Sequence, residues 1–321
     1  MDARLSAPMS SPVSAPVSAQ ISPSTGHAFD FAPWMAAHLR ATELALQHHV
    51  PAHAPAGLGD AMRYAVLDGG KRLRPLLVMA ACEATGGDAA AATRAACSVE
   101  MIHAYSLVHD DMPCMDNDIL RRGKPTVHVK FGQAQALLAG DALQALAFEV
   151  LTPQDGSVSA TVQARLCALL ARAAGEAGMA GGQAIDLASV GVKLTEDQLR
   201  QMHHLKTGAL LQASVAMGAA CGSTTAAQLQ ALKDYGNAIG LAFQVVDDIL
   251  DVVADSATLG KTAGKDADND KPTYVSLMGL APARAYAHTL YTQATDALQS
   301  SGLADTRALH ALADMVVQRS H

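Results

Sequence analysis

Two clusters of aspartate lie far apart in the chain. The first, Asp110-Asp111-Met112-Pro113-Cys114-Met115-Asp116, has the form DDxxxxD, and the second, Asp247-Asp248-Ile249-Leu250-Asp251, the form DDxxD. Carboxylates crowded in this way repel one another and become tolerable when a hard cation lies between them. Each cluster follows an apolar run and has cationic residues shortly downstream. Together they imply one cavity with several Mg²⁺ ions and a phosphorylated substrate. On a helix, Asp247 and Asp251 share a face one turn apart, with Asp248 about 100° round. Phe243, Val245, Val246, Ile249 and Leu250 surround them, unlike the surroundings of a solvated acidic face. In the first cluster Pro113 stops the helix after Asp110 and Asp111, so Asp116 has to return from a loop.

A phosphorylated substrate also calls for fixed cations. Arg121 and Arg122 follow the first cluster, and guanidinium groups bind phosphate oxygens bidentately. A second basic group, Gly69-Gly70-Lys71-Arg72-Leu73-Arg74-Pro75, opens a predicted helix, where backbone N–H groups also favour anions. It lacks the spacing of a nucleotide-binding phosphate loop. His103 stands seven residues before Asp110, on the same helical face about two turns away. Lys206-Thr207 falls inside another predicted helix, beside Gly208, which marks a local kink. The paired histidines His48-His49 and His203-His204 have no partner at zinc-ligand spacing.

Helices have to carry these groups. From Phe31 onward alanine and leucine dominate and β-branched runs are scarce, which predicts helices over 36–49, 57–67, 74–84, 89–111, 134–151, 159–175, 195–220, 226–253, 283–299 and 305–319. Thr195 with Gln198 reads as a capping box. The stretches 113–131 and 255–272 read as polar loops, a kind of segment that is often functional. The chain of 321 residues is 50% hydrophobic, 17% charged and 4% aromatic, a profile of a helical bundle rather than a β-sandwich or a disordered chain. A net charge of −7 argues against nucleic-acid binding. Five cysteines without a CxxC pair are the usage of a reduced protein. Around 137–151 the apolar run is broken by Asp141 and Glu149, too short for a bilayer. Residues 1–26 lack the apolar segment of a signal peptide. Residues 1–28 are expected to form a disordered extension, and 29–321 a single domain.

In combination the motifs resemble those of the short-chain trans-prenyl diphosphate synthases, the bacterial farnesyl diphosphate synthase type in particular. The resemblance runs from about residue 36 to residue 319. It rests on Gly70-Lys71-Arg72-Leu73-Arg74-Pro75, His103-Ala104-Tyr105-Ser106-Leu107-Val108-His109-Asp110-Asp111, Arg121-Arg122-Gly123, Gly182-Gln183, Leu205-Lys206-Thr207-Gly208 and Phe243-Gln244-Val245-Val246-Asp247-Asp248. It implies an all-α fold, an antiparallel helix bundle around a central cavity. It implies a prenyltransferase that condenses isopentenyl diphosphate head-to-tail with dimethylallyl and geranyl diphosphate. Lys71, Arg74, His103 and Arg122 would hold isopentenyl diphosphate. The allylic diphosphate would be bound through three Mg²⁺ ions on Asp110, Asp111 and Asp116 and on Asp247, Asp248 and Asp251. Arg121, Lys261 and Lys271 would contact that site, with Lys206, Thr207 and Gln244 as catalytic groups. The departing diphosphate would take the proton, so no Ser/His/Asp triad is called for. A cytoplasmic homodimer is implied as well. Ile119 departs from the pattern, standing where many relatives carry an acidic residue.

Product length should follow the depth of the apolar tunnel. Tyr105, five residues before Asp110, lies about 7.5 Å further down a helix, with Ser106 beside it, and an aromatic ring there would floor the tunnel. In the family a bulky residue at this position, together with the two extra residues in the first Asp motif, goes with a C15 product, so (2E,6E)-farnesyl diphosphate is expected. Pro113-Cys114-Met115-Asp116-Asn117-Asp118 also resembles geranylgeranyl synthases, and a C20 or longer product is the alternative. A terpene cyclase would not need Lys71, Arg74 and His103 and would normally replace the second DDxxD. A non-catalytic subunit of a heteromeric prenyltransferase would usually lose one of the two clusters.

Overall fold

Helix-forming residues predominate, and helices make up most of the computed structural model, which describes residues 29–67, 69–192, 194–253 and 273–319. Within the unit that begins at Phe31 the order is α1 (Phe31–His49), α2 (Leu58–Val66), α3 (Leu73–Ala84), α4 (Ala89–Asp110), a short hairpin of β1 (Leu120–Arg121) and β2 (Lys124–Pro125), α5 (Val127–Phe131), α6 (Gln133–Leu151), α7 (Ala160–Ala174) and α8 (Met179–Ala188). Then come α9 (Glu196–His203), a π turn (His204–Gly208), α10 (Ala209–Ala220), α11 (Ala226–Val253), α12 (Tyr274–Met278), α13 (Leu280–Ser300) and α14 (Arg307–Gln318). The all-α bundle expected from the sequence is what the structure shows.

Apolar residues occur all round α3 and α10, and both helices are buried on almost every face, as such helices must be. Each fully buried leucine, such as Leu76, Leu77, Leu210 and Leu211, contributes about 1.5–3 kcal/mol relative to exposure. Against this centre lie α4, α7 and α11, with α6 on α4 and α13 on α11. Ala136, Ala139, Gly140 and Ala147 line the buried side of α6, small residues that let it approach α4 closely. By length and composition α6 is the one helix among the described residues apolar enough to cross a membrane; its buried side faces α4.

Three departures from the sequence reading matter for the site. The helix expected over 195–220 begins at its Thr195 capping box but is interrupted by the π turn. The short helix α8 was not expected, because two glycines among ten residues weaken helix propensity. The polar stretch 113–131 contains the hairpin and α5. The loop expected over 255–272, and residues 1–28, lie outside the described residues.

Candidate active site

The first aspartate cluster sits at the end of α4. Asp110 is the last helical residue and Asp111 the C-cap. The chain turns back through Pro113, and the Asp116 amide donates to the Asp110 carbonyl at 2.8 Å, which brings the third carboxylate back beside the first, as the Pro113 break requires. Burial pushes the Asp110 carboxyl up to about 6, opposed by Lys206 and reinforced by the charges of Asp116 and Asp111. Asp111 is 2% exposed and is held bidentately by Arg121, whose Nη2 donates at 2.6 Å and Nε at 2.9 Å. Arg121 therefore ties the hairpin to the end of α4, an anchoring contact that the sequence reading did not foresee.

Next to it lies the basic wall. Arg122 takes a left-handed backbone conformation, and its Nη1 donates to the Gly69 carbonyl at 2.9 Å. Gly70 sits at φ +110°, a conformation that favours glycine, and a Cβ there would also displace the Arg122 guanidinium, 2.8 Å away. Arg74 faces inward from the first turn of α3; burial lowers it to about 10, with Glu100 opposing and Arg122 adding to the fall. His103, deep in α4, is held well below its usual range by burial and then by Arg74, Arg122 and Arg121, so it is neutral at pH 7. Lys71 is lowered by partial burial and Arg319 and raised by Asp247. Arg72 turns away: buried, it binds Glu43 and Glu100 and the Val66 carbonyl, and secures the entry to α3.

From the other side comes α11. Asp247 keeps a side chain 41% exposed, 4.0 Å from Arg319. Asp248 is buried and accepts from Gln244 Nε2 and from the Tyr274 amide, both at 2.8 Å. Asp251 is buried too. Of the three, Asp247 is the most open to a bound ion, while Asp248 fastens the start of α12. Gln244 Oε1 accepts from Thr207 Oγ1 at 3.0 Å. The π turn presents Thr207 and Lys206, and Lys206 Nζ donates to buried Asp186 at 2.5 Å. A cavity of about 370 Å³ lies between α3, α4, α8 and the π turn, lined by Arg74, His103, Asp110, Lys206 and Thr207 at its polar side and by Tyr105, Leu107, Met115, Met179 and Leu187 elsewhere. Ser106 lines it too and donates to the His103 carbonyl. A smaller cavity of about 90 Å³ adjoins Asp111, Arg121 and Arg122.

The oxygen-rich set fits Mg²⁺. Hard cations take carboxylate oxygens, and Mg²⁺ usually uses one or two carboxylates together with substrate phosphates rather than an all-protein cage. Among the described residues no three acidic, histidine or cysteine side chains form such a cage. A cation beside Asp110 would offset the burial that raises its carboxyl. Lys261 and Lys271 lie outside the described residues. Sequence reasoning missed Asp186 and Arg319. Asp186 is one more acid in a glycine-interrupted segment. Arg319 follows the last helix and reaches the site only in three dimensions, its guanidinium 4.2 Å from the Phe243 ring centre.

The fold and this pairing of two acidic helix segments with a basic wall define a class that comparison with known proteins makes explicit. Residues 55–304 match the polyprenyl synthetase family. The chain is 45% identical over 299 residues to the chloroplastic heterodimeric geranylgeranyl pyrophosphate synthase large subunit 1 of Arabidopsis thaliana, covering 92% of this chain and 81% of that one. It is similar to the structure of an FPP/GFPP synthase from Zymomonas mobilis, with 41% identity, a TM-score of 0.79, and 89% and 98% of the two chains covered. It is also similar to a geranyltransferase from Helicobacter pylori complexed with magnesium and isoprenyl diphosphate, with 33% identity, a TM-score of 0.79, and 91% and 98% covered. The chain belongs to the polyprenyl synthetase family and is a prenyltransferase.

Proposed function

We propose that the chain joins isopentenyl diphosphate to an allylic diphosphate and releases a short all-trans prenyl diphosphate. One observation carries this reading: a single cavity is lined by Arg74, His103, Asp110, Lys206 and Thr207 together with apolar side chains. In the reaction the allylic C1–O bond breaks and its electron pair leaves with the diphosphate. Mg²⁺, when bound at the aspartates, supplies charge neutralisation for that leaving group. Lys206, oriented by Asp186, adds fixed positive charge there. Asp110, Asp111 and Asp116 with Asp247, Asp248 and Asp251 are assigned to the ions, with Asp247 the most accessible donor of its cluster; Arg121, Lys261 and Lys271 are assigned to the allylic diphosphate. Thr207, whose hydroxyl donates to Gln244 Oε1, presents its oxygen to the allylic cation, with Gln244 fixing its orientation. Lys71, Arg74, His103 and Arg122, joined by Arg319, hold the isopentenyl diphosphate, whose terminal alkene carbon bonds to C1. A proton then leaves C2 of the isopentenyl unit for a diphosphate oxygen. Apolar walls keep water from the cation.

On product length the curated relatives back a C20 product better than the C15 expected from the sequence, because they are named as geranylgeranyl pyrophosphate synthases. Geranylgeranyl diphosphate is therefore the leading reading. A C15 product is kept as the second reading by one geometric observation: Tyr105 stands in the cavity wall on the same helix as Asp110, its ring packed edge-on against His109. For assembly we propose a homodimer, supported by Val129, Leu137 and Leu138 exposed together on α5 and α6. A heteromer with a second subunit is the alternative that the heterodimeric relative raises. The test is a product assay with Mg²⁺, isopentenyl diphosphate and dimethylallyl diphosphate, the dephosphorylated alcohols being sized by gas chromatography. A C20 alcohol supports the leading reading and a C15 alcohol the second. Folded protein that elongates nothing refutes catalysis by this chain alone.

A further inference from the structure

The wall of the cavity formed by α8 is apolar except at one position. Ala180, Ala184 and Leu187 recur on the face that borders the cavity, and Gln183 stands among them. Gln183 is 8% exposed, and neither its Oε1 nor its Nε2 has a hydrogen-bond partner in the protein. Buried amides are nearly always paired, so an unpaired one next to a cavity calls for a partner that the fold itself does not supply. Its surroundings narrow the choice. Gly182, one residue earlier, lies against the backbone of Lys206, and Asp186, one turn later, holds the Lys206 ammonium. Gln183 thus belongs to the stretch of α8 that backs the catalytic π turn, across the cavity from the Asp110 end of α4.

We infer that Gln183 is a further catalytic residue, whose carboxamide oxygen faces the allylic carbon as positive charge develops on it. This rests on the reading of the chain as a prenyl diphosphate synthase. A neutral amide suits the task. Its oxygen dipole stabilises a cation without offering a nucleophile as strong as a carboxylate, and in a cavity closed to water such a dipole acts at low dielectric. The amide also costs the empty protein stability, since its bonds are unmet until substrate arrives. A residue retained only for packing would show the opposite sign.

The test compares wild type with Gln183→Met, which keeps length and volume but removes both polar ends, and with Gln183→Glu, which keeps the side-chain oxygen. The expected result for Gln183→Met is a kcat lower by about 100- to 1000-fold, the range set by removing one preorganised dipole from a transition state. KM for isopentenyl diphosphate and affinity for a non-ionising thiolo-diphosphate analogue of the allylic substrate should stay within twofold, and Tm should be unchanged or higher. Gln183→Glu should recover part of the lost kcat. Three outcomes overturn the inference: kcat of Gln183→Met within threefold of wild type, a fall in Tm that parallels the fall in activity, or loss of analogue binding equal to the loss in rate. If wild type itself elongates nothing, the synthase reading fails and the inference falls with it, a result seen before any variant is compared.

Discussion

Replacing Gly182 with alanine should damage turnover more than stability. A Cβ at Gly182 would lie 2.1 Å from the Lys206 amide nitrogen, 2.5 Å from the Lys206 Cα and 2.7 Å from the Leu205 carbonyl carbon. All three are backbone atoms, so no rotamer change relieves the contact. Ordinary contact begins at 3.4 Å, so α8 or the π turn has to move by about 1.3 Å. Overpacking of this kind costs about 1–3 kcal/mol, a fall of a few degrees in Tm for a domain of this size. Lys206 and Thr207 ride on the displaced segment, and a misplacement of about 1 Å at a reacting centre costs about 100-fold in rate. Calorimetry would give Tm, and incorporation of labelled isopentenyl diphosphate into acid-labile product would give kcat. A variant with wild-type Tm and kcat within threefold of wild type would refute the claim that α8 fixes the π turn.

Other outcomes follow from the same geometry. Tyr105→Ala should lengthen the product if the ring floors the tunnel; an unchanged alcohol by gas chromatography would remove Tyr105 from that role. Asp110→Asn should raise the stability of the metal-free protein at pH 7.5 by about 2–3 kcal/mol while lowering kcat at least 100-fold, because a carboxyl raised from 3.8 to about 6 is a destabilising charge above pH 6 that a cation offsets. For this acid the folded value exceeds the unfolded one, so stability should fall as pH rises from about 4 to about 6, and denaturant melts across that window check the sign. His203 runs the other way: burial lowers it to about 4, so its contribution is present above pH 6.5 and is lost as pH falls toward 4, and His203→Gln should remove that part of the acid limb. Lys206→Ala removes the ammonium that donates to buried Asp186, which should lower stability in a denaturant melt; Asp186→Asn should restore part of it in the double variant. Arg319→Ala should raise KM for isopentenyl diphosphate about tenfold with kcat nearly unchanged, as expected of a group that binds ground and transition states alike.

The helical architecture was legible in the sequence because alanine- and leucine-rich segments have one stable local form and a repeating apolar face. Asp110, Asp111 and Asp247 were legible because clustered acids within apolar runs have few structural uses. The glycine-interrupted α8 was not legible, since its helix is stabilised by its neighbours and not by its own propensity. The π turn was legible only as a kink beside Gly208; its form is set by packing, where Gly182 and Gly240 both approach the same segment.

Sequence alone determined the chemistry class. The types and spacing of the aspartates and of the basic groups before and after them require cations and phosphate, whatever the backbone does. Only the tertiary structure decided which groups share a cavity and how each is used. It turned Asp248 toward the Tyr274 amide and left Asp247 open, locked Asp111 to Arg121, brought Arg319 from the end of the chain onto Phe243, and set an unpartnered Gln183 in the wall. The physical reason is that charge and hydrogen-bonding capacity belong to a residue, whereas burial, pairing and access belong to the packing of segments far apart in the chain.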